Sequence, residues 1–339
     1  MAKIAIISSE EKSNWISCQS IDKNLLQAYL HAFPKNSIKI FNYHVFMRQD
    51  QIDNVANEII AYKPDYLVHI NHRPHIDRLL YAIEDQINNI MYIKRPQLYF
   101  HIYGDFTLYL PQWINLSPLL KKYRVLFLCA SDKQLSLLKK LIDRPDSYVK
   151  KCPFPVDNFF SYKPSIRKTA RKKLGLKKKQ FAFVYAGRMS FQKNVLSLLK
   201  NFSFFLKQTQ FDAKLYLAGK FDDIGQPFLN SHLAENEFFY HYNELLKSLP
   251  KEHQKQIVFL GYLSRKDLRD IYNACDYYVS LSVYNDEDYG MAPAEALICG
   301  LPCILTDWGG FSSFSRMIKG NNPGCQLVPV TINSNKVHY

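Results

Sequence analysis

Two periods of hydrophobic spacing take turns along this chain. Ala2–Ser8, Ile38–Tyr43, Tyr66–Ile70, Gln97–Ile102 and Val125–Ala130 are short, almost continuous apolar runs, the pattern of strands buried on both faces. Asn24–Phe33, Ile52–Tyr62 and Arg78–Ile90 lie between them and repeat their apolar residues at helical spacing. Strand and helix alternating through short connections predict a parallel sheet covered on both faces. The pattern stops at Cys152-Pro153-Phe154-Pro155-Val156-Asp157, where two prolines cannot continue a helix, and then begins again. Phe181–Ala186, Lys214–Ala218, Gln256–Phe259, Tyr277–Leu281 and Pro302–Leu305 form the second set of strands. The reading is α/β, two doubly wound Rossmann-like domains in series, residues 1–160 and 161–339, meeting near 157–165.

Glycine placement says where a ligand binds. Of twelve glycines, only Gly104 precedes residue 175, and the first strand-to-helix turn, Ser8–Asn14, has none. A dinucleotide fingerprint needs glycine there so that backbone can approach a pyrophosphate, so an N-terminal NAD or FAD site is disfavoured. In the second half, Gly187, Gly219, Gly261, Gly290, Gly300, Gly309 and Gly310 fall after strands or at helix ends. Doubly wound sheets bind ligands at the carboxyl ends of their strands, which assigns the main ligand to the second domain.

Two constellations there carry chemistry. In Tyr185–Asn194 a buried strand ends at Gly187, and the cations Arg188 and Lys193 follow before a helix begins. Cations just past a strand end suit an anionic diphosphate whose departure needs its charge met. In Asp286–Pro302, Pro293 fits a first helical turn and Gly300 a C-terminal cap, while Glu287 precedes the helix and Glu295 lies on it. Carboxylates accept hydrogen bonds from paired hydroxyls, and the amides of Gly290, Met291 and Ala292 at the helix start suit an anion.

Charge and cysteines narrow the classes. The formal net charge is +14, yet nine of the 24 Lys and Arg after residue 160 lie in Lys163–Lys179, which has no acidic residue. Beyond Lys179 the balance is 15 against 15, so a basic nucleic-acid face is not expected. The basic segment is expected to be either a solvated linker helix or a contact for an anionic membrane surface. Seven cysteines, none in CxxC spacing, read as buried thiols of a reducing compartment. The opening apolar run reads as a strand rather than a leader, giving a cytoplasmic protein, peripheral on the inner membrane face if the basic segment docks there.

The second half resembles the retaining GT-B glycosyltransferases of family four, glycosyl transferases group 1. Gly187-Arg188, Lys193, Glu287-Asp288-Tyr289-Gly290, Glu295-Ala296 and Gly300-Leu301-Pro302 follow the family's order. Cys152–Asp157 with Phe160 is similar to its interdomain segment, and Gly261, Leu268 and Asp276 to the elements before its donor loop. The likeness covers residues 150–310 and is diffuse before them. It implies two Rossmann-like lobes facing across a cleft. It implies transfer of a sugar from a nucleotide-diphosphate sugar, UDP ahead of GDP, to an acceptor hydroxyl on a glycan, glycolipid or protein, with retention, in bacterial glycan or glycolipid synthesis. Arg188 and Lys193 would bind the diphosphate, Glu287 the sugar, Glu295 the ribose, and the amides after Gly290 the sugar and distal phosphate. The family needs no metal or separate cofactor; Asp286-Glu287-Asp288 is spaced like a metal motif but falls on the donor loop.

Four features depart from the pattern. Ser8–Asn14 lacks the usual glycines. The histidine of the first lobe aligns with His101 or with Tyr103. Gly309-Gly310-Phe311-Ser312-Ser313 lacks the acid that ends Gly-Gly-x-x-Glu. Further helices are expected after 327–330, so the second domain is expected to be a shortened form. The alternatives are a nucleotide-sugar 2-epimerase of the same fold and a non-catalytic binding subunit.

Overall fold

The computed structural model of the chain describes residues 2–8, 16–70, 76–89, 94–104, 106–142, 148–209, 211–223, 234–284, 287–316 and 324–331. The chain divides into two compact units, Met1–Pro155 and Val156–Tyr339. Residues 9–14 of the first turn and Asp286 lie outside the described residues.

The first unit holds β1 (Ile4–Ser8), β2 (Ile38–Asn42), β3 (Tyr66–Ile70), β4 (Gln97–Ile102), β5 (Val125–Cys129) and β6 (Val149–Lys151). They form one parallel sheet in the order β2-β1-β3-β4-β5-β6. Ile4, Ala5, Ile6 and Ile7 are all buried, as a strand covered on both faces requires. The helix Gln49–Tyr62 lays Ile52, Ala56, Ile59 and Ile60 against the core, one stripe at helical spacing. Its start is satisfied by the Gln51 side chain, whose carbonyl accepts from the Arg48 amide at 2.9 Å, and it stops at Lys63 in the left-handed region.

The second unit holds β7 (Phe181–Ala186), β8 (Ala213–Ala218), β9 (Ile257–Gly261), β10 (Tyr277–Ser280), β11 (Cys303–Thr306) and β12 (Cys325–Val328). Its parallel sheet runs β12-β11-β10-β7-β8-β9, so the strand order reverses between β7 and β10. In the first sheet the reversal lies between β1 and β3. The edge strands β6 and β12 are absent from the sequence reading; neither is a continuous apolar run, since β6 carries Lys150 and Lys151 and β12 carries Gln326.

The basic segment does two jobs. The helix Pro164–Lys173 packs on Arg265–Ala274 and turns Arg167 and Arg171 inward. Arg167 donates to the Cys275 carbonyl at 2.6 Å and to the Asp276 carboxylate at 2.6 Å, and Arg171 to the Ala274 carbonyl at 3.0 Å. Two cations thereby satisfy the carbonyl end of a helix, a structural use that the count of charges does not reveal. Lys168, Lys172, Lys178 and Lys179 stay exposed. Among the described residues no helix is long and apolar enough to cross a membrane.

Candidate active site

The residues leaving β7 and β10 meet where the strand order reverses. β7 runs into Gly187, and the neighbouring strand exit, Gly219, passes so close that a Cβ on Gly219 would lie 1.8 Å from the Gly187 carbonyl oxygen. No side chain fits at Gly219, and a Cβ on Gly187 would lie 2.8 Å from the Tyr185 hydroxyl. The two exits stay paired, with the Met189 amide donating to Lys220 and the Asp222 amide to Met189. Arg188 is held between them. Its guanidinium reaches Asp222 at 3.1 Å and the Gln192 side-chain oxygen at 2.8 Å, and the Tyr185 hydroxyl donates to its carbonyl at 2.7 Å.

A single 3-10 turn, Phe191–Lys193, then brings Lys193 back toward the exit of β10. Asn194 adopts the left-handed conformation, φ 52°, and its side-chain amide donates to the Leu281 carbonyl at 3.0 Å. Asparagine tolerates that conformation better than other side chains, so the turn and the β10 exit are tied by one residue. Lys193 Nζ donates to Glu287 Oε2 at 2.6 Å and lies 5.7 Å from the centre of the Tyr284 ring. Both partners are largely buried, 19% and 10% exposed at the side chain, so this ion pair is little screened. Burial pushes the Glu287 carboxyl up, but the Lys193 charge and hydrogen bond, the Ser282 hydroxyl and Arg188 together hold it below the usual range. Glu287 is therefore ionised at neutral pH.

The helix Met291–Ile298 starts at Gly290, where φ is 102° and a Cβ would meet the Phe311 ring at 2.6 Å. Its first amides, those of Met291 and Ala292, lack carbonyl partners one turn earlier by helix geometry. Gly300, at φ 71°, ends the segment, and the Leu301 amide returns to the Ala296 carbonyl at 3.0 Å. Glu295 sits half-buried on this helix, and its carboxylate accepts no hydrogen bond from any described residue. Burial pushes its carboxyl up to about 8, with Arg265 pulling down and Asp157 adding to the rise. The arrangement thus offers two cations, one ionised carboxylate and one protonated carboxyl. Among the described residues no group of three or more His, Cys, Asp or Glu could hold a metal ion.

His101 belongs to the first unit. It is buried on β4, and its Nε2 lies 2.9 Å from the Tyr29 hydroxyl. Burial, reinforced by His69, lowers its pKa to about 4. The alternative, Tyr103, is also buried, with its hydroxyl on the Asp22 carboxylate. The unfolded chain binds a proton at His101 below about pH 6.5 and the native state does not until about 4, so stability falls with pH in that window. Urea unfolding at pH 7 and pH 5 is expected to show a loss of about 2 kcal/mol that His101→Gln removes; an identical loss in the variant would assign it elsewhere.

Of the residues singled out in the sequence, the structure brings together Lys193 and Glu287 directly, with Arg188 close enough to act on the Glu287 charge. Sequence reasoning misses Asp222, Gln192, Ser282 and Tyr284, which hold them. A signal existed for Gln192: a polar residue between two cations at a strand exit, here buried.

Residues 166–321 match the family described as Glycosyl transferases group 1. A stretch of 154 residues is 30% identical to mannosylfructose-phosphate synthase of Agrobacterium fabrum, covering 45% of this chain and 31% of that one. The chain spans about a third of the length of the curated relatives it matches. Among solved structures, Anabaena Alr3699/HepE in complex with UDP aligns with TM-score 0.66 and 16% identity over 96% of this chain and 85% of that one. A glycosyltransferase from Rickettsia africae aligns with TM-score 0.63 and 14% identity over 91% and 80%. These likenesses show the fold, the two-domain α/β GT-B type.

Proposed function

We propose that a chain whose residues 166–321 form a glycosyl transferases group 1 domain acts as a glycosyltransferase, taking a nucleotide-diphosphate sugar as donor and a hydroxyl as acceptor. The observation that carries this reading is the 2.6 Å contact between Lys193 and Glu287, which joins diphosphate-binding and sugar-binding chemistry at the reversal of strand order. Arg188 and Lys193 receive the leaving diphosphate. Glu287, already ionised, accepts from donor-sugar hydroxyls, and Glu295 accepts from the ribose diol. The bond from the anomeric carbon to the diphosphate oxygen breaks, and the acceptor oxygen bonds to that carbon on the same face. The acceptor proton passes to a phosphate oxygen, so configuration is retained and no side chain becomes covalently attached.

Two cations beside the leaving group supply charge stabilisation without a metal. UDP is the first donor base to test, because the Anabaena neighbour was solved with it. The protein is expected to bind UDP and to release it slowly from a UDP-sugar, in EDTA as well as with added divalent cation. Absence of binding to any nucleoside diphosphate, or release that stops in EDTA, would sink this assignment or its metal-free form respectively.

A further inference from the structure

The exit of β11 touches the Glu287 loop at successive points, although it carries none of the charged residues of the site. The Thr306 hydroxyl donates to the Ser282 carbonyl. The Trp308 indole N–H donates to the Tyr284 carbonyl at 2.8 Å, and the Gly310 amide donates to the Glu287 carbonyl at 2.5 Å. The Glu287 amide also donates to Tyr284, at 3.1 Å. The packing leaves no room for side chains. A Cβ on Gly309 would lie 2.5 Å from the Glu287 carbonyl oxygen, and one on Gly310 would lie 1.9 Å from that of Asp288. Where the resemblance calls for an acid, Ser313 is fully buried.

We infer that Trp308 is a positioning residue, and that the strap Thr306–Gly310 sets Glu287 and Tyr284 against Lys193. The inference rests on the donor-site reading above. Its logic is local. The Tyr284 carbonyl is fixed by the indole, the Tyr284 ring lies near the Lys193 ammonium, and the next described residue along the chain is Glu287 itself. Trp308 is half-buried and need not touch the donor; it acts through the backbone on either side of residues 285 and 286. Thr306 ties the two strand exits at their roots, on Ser282, and the longer indole of Trp308 ties them two residues further out, on Tyr284. A carboxylate set about 1 Å from its working position loses much of its effect on rate while the nucleotide, held by other groups, still binds.

Trp308→Phe removes the donor and keeps most of the ring. Turnover of a UDP-sugar is expected to fall about 10-fold, while the Kd for UDP, which lacks the sugar, stays within about twofold and the melting temperature holds. Thr306→Val removes the neighbouring donor and is expected to give the same split; it serves as the test if Trp308→Phe does not fold. Wild-type turnover in the variant overturns the inference, as does a loss of UDP affinity that matches the loss of turnover, the mark of a merely structural tryptophan. Wild-type protein that neither binds UDP nor releases it from a UDP-sugar overturns the donor-site reading first, and this one with it.

Discussion

Lys193→Ala is expected to cut turnover by roughly 100- to 1000-fold, and it should also weaken the fold. The first effect follows from the leaving diphosphate: losing one charge-stabilising contact at a developing anion costs about 3–4 kcal/mol in the barrier. The second follows from the 2.6 Å ion pair, because removal of Lys193 strands the buried Glu287 carboxylate. Breaking a buried pair from one side costs about 3 kcal/mol, more than such a pair is worth intact. The two effects separate by pH and by a second substitution. Glu287 is held below its ordinary range by Lys193, so the pair adds stability above the carboxyl's unfolded value and loses it as pH falls through the native value. In Lys193→Ala that lowering is gone, and the stability gap from wild type should narrow toward acid pH. Lys193→Ala combined with Glu287→Gln should regain much of the stability and none of the turnover. Denaturant unfolding beside single-turnover kinetics would read both; a double variant that regains activity would show that Lys193 acts only by pairing Glu287.

Nucleotide affinity should depend on Glu295 and on pH together. Glu295→Ala is expected to weaken UDP binding by roughly 10- to 100-fold, the range for hydrogen bonds to a charged group, with a smaller change in the rate of the bound donor, since ribose contacts alter little along the reaction. The free protein holds this carboxyl protonated up to about pH 8. Accepting both ribose hydroxyls favours the ionised form, so binding releases a proton and affinity rises between about pH 6 and 8. For the fold the sign is opposite. The native state keeps a proton the unfolded chain has already lost, so stability falls as pH climbs from the carboxyl's ordinary value toward 8. Calorimetry in buffers of different ionisation enthalpy measures the proton; equal apparent enthalpies in every buffer would remove Glu295 from the ribose.

The strands of both units were legible because buried parallel strands are written as apolar runs, and Tyr277–Ser280 and Val125–Cys129 are such runs, too short for a helix. Arg188, Lys193, Glu287 and Glu295 were legible because each follows a strand end or opens a helix flanked by glycine. What holds them was not legible. Asp222 lies 34 positions from Arg188, Glu287 lies 94 from Lys193 and Trp308 lies 24 from Tyr284, and no local period encodes contacts at such separations. Arg167 and Arg171 were hidden for the opposite reason: surrounded by lysines, they read as solvent-facing, and only the geometry of the Asp276 corner distinguishes the two inward cations from the rest. Short edge strands such as Val149–Lys151 fall below the length at which alternation means anything.

The two sheets differ in how deeply their reversal points are set. Among the described residues, in the first only β2 lies beyond β1; in the second, three strands flank the reversal on each side. The charged loops of the second unit therefore spring from strands whose backbone amides are laddered on both edges, the kind that exchanges hydrogen only when a whole unit opens. A bound nucleotide should thus protect the loop amides strongly in exchange measurements and leave β7 and β10 almost unchanged. Under the donor-site proposal, a change of sugar or base can then proceed loop by loop, because replacing a loop here leaves its roots in place.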